Sequence, residues 1–394
     1  MSESRQRILL VTRNLPPLLG GMERLNWHMA DELAKVAEVR IVGPEGSAVL
    51  APAGIEVREV PVKPLWKFLW RAHLLARREA KAWRPHVVLA GSGLTAPIGR
   101  SATRICDAKA AAYVHGLDVA VKHPAYRAIW IPALRRMDRV IANSRATADL
   151  CRSVGIDAAR IGIVHPGVEM PGEAKVSPAL MRATGEEATP VRSANDFRQR
   201  NQFNNRPLLL SVGRLSSRKG LREFVAHSLP RIVEKHPDAM LLIVGDAPKD
   251  ALYAQAQTPE SIRALAEQVA VADNLRFLGA ITDQELGAVY RAADVHVFPV
   301  RKISGDPEGF GMVAVEAAAH GLPTVAFATG GVVDAVAGGQ SGQLVAPGDY
   351  VAFADAVLRM LAARGVLKAH CESFARRFAW PEFGAQVAAQ LRLA

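Results

Sequence analysis

Ten short apolar runs alternate with segments of helical pattern along the 394 residues of the chain. Five lie in the first half and five in the second: 8–11, 39–42, 87–90, 111–114 and 140–142, then 208–212, 240–244, 275–278, 295–298 and 324–327. Such alternation is typical of parallel sheets covered by helices. Because a chain of this length exceeds one comfortable hydrophobic core, the pattern predicts two α/β domains.

A polar stretch without clear periodicity separates the two sets of runs. Residues 171–206 are rich in Glu, Arg, Asn and Gln and predict a linker with a surface excursion. The predicted domains are therefore 1–170 and 207–373, followed by a terminal segment at 374–394 that we expect Trp380-Pro381 to break.

Composition places the chain among ordinary globular proteins, with 49% hydrophobic and 22% charged residues. Its three cysteines are scattered and odd in number, so they indicate no disulfide framework and favour a reducing cytoplasm. The polar leader before Ile8 predicts neither a signal peptide nor a membrane span.

Positive charge is concentrated in the first half of the chain. Residues 1–170 contain 25 Lys and Arg against 15 Asp and Glu, whereas the remainder contains 24 against 23, within a total net charge of +11. A basic domain suggests phosphate-rich partners, either an anionic membrane surface or nucleic acid. The alternative is a basic surface that only aids solubility.

One segment of the first half, residues 63–84, combines basic and aromatic side chains. Seven Lys and Arg residues face a single acid, Glu79. Trp66 and Trp70 are spaced to share one helical face, with Lys67 and Arg71 beside it. This pattern predicts a helix that docks at a membrane interface. The alternative is a surface helix whose aromatic side chains enter the core.

Near the C-terminus, Glu308 and Glu316 stand eight residues apart across a glycine turn and the start of an Ala-rich helix. Gly309 and Gly311 lie at the entrance to that helix, where unpaired backbone N–H groups favour an anion. The predicted separation of the two carboxylates is about 10 Å. A double-displacement glycosidase would need about 5 to 5.5 Å, so that chemistry is disfavoured.

Three further segments carry chemistry-bearing residues next to predicted strands or helices. They are Gly20-Gly21, the run Val114-His115-Gly116-Leu117-Asp118, and the run 211–220, which reads Ser-Val-Gly-Arg-Leu-Ser-Ser-Arg-Lys-Gly. In the last, Arg214 and Lys219 follow a buried strand, at the end of a parallel sheet where ligands collect. Two such cations can face one diphosphate.

Together, in this order and spacing, these four segments resemble family 4 of the retaining glycosyltransferases, from about Ile8 to the 380s. The resemblance implies the GT-B fold, in which two Rossmann-like domains face a central cleft. It also implies that the first domain binds the acceptor, that the second binds a nucleotide sugar, and that the terminal helix crosses back to the first domain.

The resemblance also implies roles for individual residues. Catalysis is assigned to His115, Arg214, Lys219 and Glu308, with Arg214 and Lys219 on the donor diphosphate and Glu308 on the sugar hydroxyls. Glu316 accepts from the ribose hydroxyls, and Asp118 lies on the acceptor side. The remaining donor-binding residues are Gly20, Gly21, Gly213, Gly309, Phe310, Gly311 and Met312.

The reaction implied is transfer with retention at the anomeric carbon, with the leaving diphosphate accepting the proton of the attacking hydroxyl. No Asp-x-Asp triplet or His cluster suggests a metal, so we expect metal-independent catalysis without a cofactor. The expected donor is a GDP- or UDP-sugar, GDP-mannose by preference, with base recognition around residues 276–283. The expected acceptor is lipid-linked or an envelope glycan, as in polysaccharide or lipopolysaccharide biosynthesis, at the cytoplasmic membrane face.

Two other functions stay open from the sequence. A GT-B nucleotide-sugar epimerase would share the fold and the phosphate site but would rearrange the donor. A basic module that binds nucleic acid or membrane would explain the first half and leave the motifs of the second half unexplained, so we expect no nucleic-acid partner. A dinucleotide oxidoreductase is disfavoured because no Gly-x-Gly-x-x-Gly follows the early strands.

Overall fold

A computed structural model of the chain describes residues 5–172, 193–247 and 257–393. They form two units. The first comprises residues 5–167 and 379–393, and the second comprises 168–172, 193–247 and 257–378. Most of the predicted linker, at 173–192, lies outside the described residues.

The described part of the first unit contains a seven-stranded parallel sheet in the order β3-β2-β1-β4-β5-β6-β7. The strands are β1 (Arg7–Val11), β2 (Glu38–Pro44), β3 (Glu56–Val60), β4 (Val87–Ala90), β5 (Lys109–Val114), β6 (Arg139–Ala142) and β7 (Ile161–Ile163). The helices are α1 (Gly21–Ala34), α2 (Leu65–Trp83), α3 (Ala96–Cys106), α4 (Gly116–Ala120), α5 (Pro124–Arg135) and α6 (Arg145–Ser153). The strand order reverses between β1 and β4, which makes their carboxyl ends a natural ligand site.

The second unit repeats the plan with a six-stranded parallel sheet among its described residues, in the order β10-β9-β8-β11-β12-β13. Its strands are β8 (Leu208–Val212), β9 (Met240–Val244), β10 (Leu275–Gly279), β11 (Val295–Phe298), β12 (Thr324–Phe327) and β13 (Gly342–Val345). Its helices are α7 (Ala194–Arg200), α8 (Leu221–His227), α9 (Leu229–Lys235), α10 (Pro259–Gln268), α11 (Asp283–Ala292), α12 (Met312–Ala319), α13 (Val332–Ala335), α14 (Tyr350–Ala362) and α15 (Lys368–Arg376). The reversal here falls between β8 and β11.

Helices cover both faces of each sheet, so the central strands are apolar on both sides. In β8, Leu209 belongs to one buried cluster, whereas Leu208 and Leu210 belong to the cluster on the opposite face. Both clusters are dominated by Leu, Ile, Val and Phe, as alternation across a pleated strand requires. The two parallel α/β sheets agree with the fold class predicted from the sequence.

The last helix, α16 (Trp380–Leu391), belongs to the first unit. The Trp380 ring stacks on His28 of α1 with a centroid distance of 4.0 Å and an interplanar angle of 8°. A Cβ added at Gly167 would lie 2.1 Å from the same indole, so only glycine fits there. These contacts explain why residues after 378 pack with α1.

One detail differs from the expectation for the terminal segment. Residues 374–376 complete α15, which packs against α12 in the second unit, so the chain leaves that unit after Phe378 instead of at 374. The expected break at Trp380-Pro381 is present, because α15 ends at Arg376 and a new helix, α16, begins at Trp380. Pro381 sits in the first turn of α16, where a missing N–H costs no helical hydrogen bond.

None of the helices in the described ranges is both long and apolar enough to cross a bilayer.

Candidate active site

The loops that follow β8, β11 and β12 carry the second unit's candidate residues. Gly213 directly follows β8 with φ 135°, a conformation that favours glycine. Arg214 comes next and is exposed to solvent. A single 3₁₀ turn, Ser217–Lys219, then brings Lys219 back toward the carboxyl end of β11, where its Nζ lies 4.8 Å from the centre of the Phe298 ring.

Lys219 and Glu308 form an ion pair inside this group of loops. The Nζ of Lys219 lies 2.8 Å from Oε2 of Glu308, and the two side chains are only 18% and 12% exposed. The guanidinium of Arg218 donates to the same carboxylate oxygen, and its Nε lies 3.2 Å from Oδ1 of Asp306. Two cations and two carboxylates are thus held together where ordinary solvation is largely removed.

The charges of this cluster depend on one another. Burial favours the neutral acid at Glu308, but Lys219 and Arg218 outweigh it and lower the pKa of the carboxyl below its usual value. Burial lowers the pKa of the Lys219 ammonium, while Glu308 acts in the opposite direction. Each of the two groups therefore favours the ionised form of the other.

Glycines let three backbone segments approach closely around Glu308. The N–H of Gly331 donates to the Glu308 carbonyl oxygen at 3.0 Å. A Cβ at Gly331 would lie 2.0 Å from the carbonyl oxygen of Gly309, and one at Gly330 would lie 2.7 Å from that of Glu308. Gly311, at φ 95°, forms the N-cap of α12 next to the Phe298 ring. No side chain therefore caps the amino end of α12 with a hydrogen bond.

The other donor-binding candidates of this unit lie on or next to α12. Met312 is its first residue, and Phe310 is buried with its ring packed 5.8 Å from Phe378. Glu316 lies one turn into the helix, half-buried, and accepts a hydrogen bond from the Tyr290 hydroxyl at 3.2 Å. Lys219, Glu308 and the amino end of α12 thus come together in the second unit.

In the first unit, His115 and Asp118 lie at the carboxyl end of β5. Asp118 Oδ2 accepts from the backbone N–H of His115 at 2.9 Å and so caps the short helix α4. Burial lowers the pKa of His115, and the nearby Asp118 and Glu23 carboxylates only partly oppose that effect. The imidazole is therefore neutral at neutral pH and suited to hydrogen bonding with a hydroxyl group.

The glycine pair of the first unit lies at the start of α1. Gly20 has φ 156°, and a Cβ there would lie 2.4 Å from a Glu23 carboxylate oxygen. Gly21 is the first helical residue. These residues place backbone amides near the carboxyl end of β1, the position that the strand reversal favours for a ligand.

Helix α2 leaves two tryptophans on its surface. Trp66 is 69% and Trp70 is 58% exposed, whereas Phe68 enters the core. Arg71 is exposed beside them and Lys67 is half-buried. Of the aromatic side chains expected either to dock at a membrane or to enter the core, Phe68 enters the core and Trp66 and Trp70 do not, and membrane docking stays a prediction.

Sequence reasoning missed several members of the second unit's cluster. Arg218 and Asp306 contact Glu308 or its partners, and Tyr290 contacts Glu316. Arg218 stands beside Lys219 in a polar loop, where nothing distinguishes a buried guanidinium from an exposed one. Arg276, in the segment predicted to recognise the base, is the second residue of β10, and base recognition there stays a prediction. Among residues 5–172, 193–247 and 257–393, no group of three or more His, Cys, Asp or Glu residues is placed to hold a metal ion.

Two family models match consecutive parts of the chain. The model described as Glycosyltransferase Family 4 matches residues 19–170, and the model described as Glycosyl transferases group 1 matches residues 193–378.

Curated relatives are similar over part or most of the chain. D-inositol 3-phosphate glycosyltransferase 2 of Catenulispora acidiphila is 34% identical over 262 residues, which cover 64% of this chain and 55% of the relative. A GDP-mannose-dependent alpha-(1-6)-phosphatidylinositol monomannoside mannosyltransferase of Mycolicibacterium smegmatis is 28% identical over 371 residues, or 90% and 89% of the two chains. The chain thus spans about half the length of the inositol 3-phosphate relatives that it matches.

Solved structures share the fold along the whole chain. HepE from Anabaena, in complex with UDP, has a TM-score of 0.75 at 19% identity and covers 98% of this chain and 100% of its own. A glycosyltransferase from Rickettsia africae has a TM-score of 0.74 at 18% identity, with coverage of 99% and 98%. One family model matches most of the first Rossmann-like unit, and the other matches most of the second. The chain therefore belongs to the GT-B glycosyltransferases of family 4.

Proposed function

We propose that this glycosyltransferase moves a hexose, mannose-like by preference, from a nucleoside-diphosphate sugar to a lipid-linked or envelope glycan acceptor, with retention at the anomeric carbon. The observation that carries this proposal is the buried Lys219–Glu308 ion pair beside the amino end of α12, which no side chain caps. A carboxylate that accepts from sugar hydroxyls and a cation for the neighbouring diphosphate are thereby held in one place.

The proposed chemistry needs no nucleophile from the protein. The bond from the anomeric carbon to the diphosphate oxygen breaks, and the acceptor hydroxyl attacks from the same face. A diphosphate oxygen accepts the proton of that hydroxyl. Lys219, Arg214 and the amides of Gly311 and Met312 stabilise the negative charge that develops on the diphosphate. We therefore propose that the reaction proceeds without a metal ion or other cofactor.

In the first unit, the neutral His115 imidazole is proposed to bind a hydroxyl of the transferred sugar. Its burial supports this role, because a neutral imidazole can donate or accept without repelling a developing oxocarbenium ion. Asp118 is proposed to face the acceptor. Its hydrogen bond from the His115 backbone N–H would hold the two residues at a fixed distance from each other.

The base of the proposed donor nucleotide is guanine or uracil. The Mycolicibacterium relative is named for its dependence on GDP-mannose, whereas HepE was solved with UDP and with UDP-glucose. The relative is similar over 90% of this chain at 28% identity, so we propose GDP-mannose first.

We further propose that α2 attaches the protein to the cytoplasmic face of an anionic membrane. Trp66 and Trp70 expose apolar rings, and Arg71, Arg78 and Lys81 are exposed on the same helix. Tryptophan is favoured at membrane interfaces, and each basic residue adds attraction to anionic lipid. Such attachment would bring a lipid-linked acceptor to the enzyme.

A nucleotide panel tests the proposal. Unfolding temperature would be measured with UDP, GDP and ADP over a concentration series. A ligand at 100 times its Kd stabilises the folded state by about 2.7 kcal/mol, so the correct base raises the unfolding temperature with concentration. The sugar nucleotide of that base is then incubated with and without glycolipid extract. Glycosylated lipid supports transfer, an epimerised sugar without acceptor supports the epimerase, and no response to any nucleotide contradicts both.

A further inference from the structure

Tyr290, a buried residue of helix α11, forms a hydrogen bond with Glu316 on α12. The hydroxyl of Tyr290 lies 3.2 Å from Oε2 of Glu316 and 3.5 Å from the carbonyl oxygen of Val313. Tyr290 itself is 1% exposed and packs within the apolar cluster on one face of the second sheet. The phenol O–H donates to the carboxylate oxygen, which accepts.

His320 holds the same arrangement from the other side. Its ring stacks on Tyr290 with a centroid distance of 5.2 Å and an interplanar angle of 22°. Its Nδ1 lies 2.9 Å from the carbonyl oxygen of Glu316, where the neutral ring donates. Burial lowers the pKa of His320, so no positive charge from this ring competes for the Glu316 carboxylate at neutral pH.

A glycine makes room for this stack. A Cβ at Gly287 would lie 3.2 Å from Nε2 of His320 and 3.4 Å from an Arg291 guanidinium nitrogen, closer than most side-chain contacts. Gly287 thus lets α11 approach the end of α12, and the approach fixes the Tyr290 ring. The position of the phenol oxygen is set by packing on several sides.

We propose that Tyr290 is a positioning residue that orients the Glu316 carboxylate and thereby sets the enzyme's preference for a ribose over a deoxyribose nucleotide. This inference rests on the proposed function, in which Glu316 accepts from the ribose hydroxyls. A glutamate has several rotatable bonds, and ordering it only when the ligand binds would cost affinity. The buried Tyr290 hydroxyl fixes one oxygen of the carboxylate beforehand.

The test compares nucleoside diphosphates that differ only in the sugar. Kd is measured by calorimetry for GDP against 2′-deoxy-GDP and 3′-deoxy-GDP, and for the three matching UDP compounds, with the whole chain. A hydrogen bond to a charged group is worth about 1.5 to 3 kcal/mol, so the wild type is expected to prefer ribose about 10- to 100-fold. Tyr290→Phe is expected to reduce that preference to about threefold or less, with deoxynucleotide affinity little changed.

Two controls separate positioning from a general effect. Tyr350→Phe removes a phenol hydroxyl from another helix of the same unit, where the ring packs on Phe327 and His227, and it should keep the wild-type preference. Glu316→Ala should abolish the preference altogether. A purely structural role of Tyr290 would weaken ribose and deoxyribose nucleotides equally and would overturn the inference.

The measurements distinguish failure of the Tyr290 inference from failure of the proposed function. If Glu316→Ala loses the ribose preference while Tyr290→Phe keeps it in full, only the positioning role of Tyr290 is overturned. If the wild type binds a ribonucleotide and its deoxy form equally, both the ribose role of Glu316 and the inference fail. If no nucleotide binds, the proposed function fails as a whole.

Discussion

Lys219 and Glu308 are joined by a bond of 2.8 Å although 89 residues separate them in the chain. The pair brings the loop after β8 against the loop after β11, the two strands at which the sheet order reverses. Each group also favours the ionised form of the other, so the sugar and phosphate roles proposed for them are physically coupled.

The coupling predicts opposite effects of two substitutions on nucleotide binding. Glu308→Gln removes the negative charge but keeps the shape, so turnover should fall about 100-fold or more as transition-state contacts are lost. Its affinity for the diphosphate should stay equal or rise, because Lys219 and Arg218 no longer face a carboxylate. Lys219→Met should instead weaken diphosphate binding by about tenfold or more. Calorimetry with the nucleotide measures both, and changes of the same sign would contradict the coupling.

Arg218 should contribute to activity through the geometry of its several guanidinium N–H donors as well as through its charge. Its guanidinium reaches Glu308 and Asp306 together, which a lysine ammonium cannot reproduce. Arg218→Lys is therefore expected to lower kcat/KM about tenfold while the unfolding temperature changes little. Arg222→Lys, on the exposed surface of α8, is the matched control and should behave as wild type. Equal activity of the two variants would remove Arg218 from the site.

Sequence patterns predicted the central strands well and the sheet edges poorly. All ten apolar runs are strands, whereas β3, β7 and β13, three strands at sheet edges, were not predicted. β3 reads Glu-Val-Arg-Glu-Val, because an edge strand meets solvent and needs no continuous apolar run. Position at the edge, which sequence alone does not reveal, decides this composition.

For the site, sequence resemblance named residues but not their contacts. Lys219, Glu308 and the glycines of the α12 entrance do lie together in the structure. The Arg218 contact with Glu308 and the Tyr290 contact with Glu316 depend on how loops and helices distant in sequence approach each other. Neither residue type in those positions is distinctive before the chain is folded.

Gly331 should not tolerate a side chain. A Cβ there would lie 2.0 Å from the Gly309 carbonyl oxygen, which is backbone and cannot rotate away. Gly331→Ala is expected to cost about 1 to 3 kcal/mol of unfolding free energy and to displace the Glu308–Gly309 segment, so nucleotide binding falls too. Chemical denaturation and calorimetry measure the two effects.

Gly338, in the same unit, provides the control for Gly331. Nothing lies within 4 Å of a Cβ at Gly338, so Gly338→Ala should stay within about 0.5 kcal/mol of wild type and bind nucleotide normally. If the two alanine variants behave alike, close backbone packing is not what holds the Glu308 loop.

Helix α2 should bind anionic vesicles through charge and tryptophan together. Each basic residue near such a surface contributes about 1 kcal/mol, so Lys67→Glu with Arg71→Glu should weaken binding to phosphatidylserine vesicles by at least about tenfold. Trp66→Ser with Trp70→Ser should weaken it at low and high salt alike. Vesicle co-sedimentation measures both.

A control with the same change in net charge tests whether α2 is the docking element. Lys235→Glu with Arg359→Glu reverses two exposed basic residues of the second unit. This variant should sediment with vesicles as wild type does. Equal losses in the two charge-reversal variants would mean that overall charge, and not α2, governs membrane binding.

His28 should make the first unit sensitive to acid. Burial against Trp380, with Arg24 and Lys35 nearby, lowers the pKa of His28 to about 3. Its unfolded pKa is about 6.5, so between pH 6.5 and 3 the unfolded chain binds a proton that the folded chain does not. Stability therefore falls as pH drops through this window, by up to about 1.4 kcal/mol per pH unit from this residue.

Phenylalanine keeps a ring against Trp380 but cannot be protonated, so His28→Phe should remove that part of the acid sensitivity. Near pH 7 the variant and the wild type should unfold at similar temperatures. At pH 4.5 the variant should be more stable by up to about 2.7 kcal/mol, or several degrees in unfolding temperature. His370→Gln, an exposed position on α15, should lose stability with acid as the wild type does. Parallel pH profiles for wild type and His28→Phe would show that the His28 ring is protonated in the folded protein, and the stack on Trp380 would then not depend on a neutral imidazole.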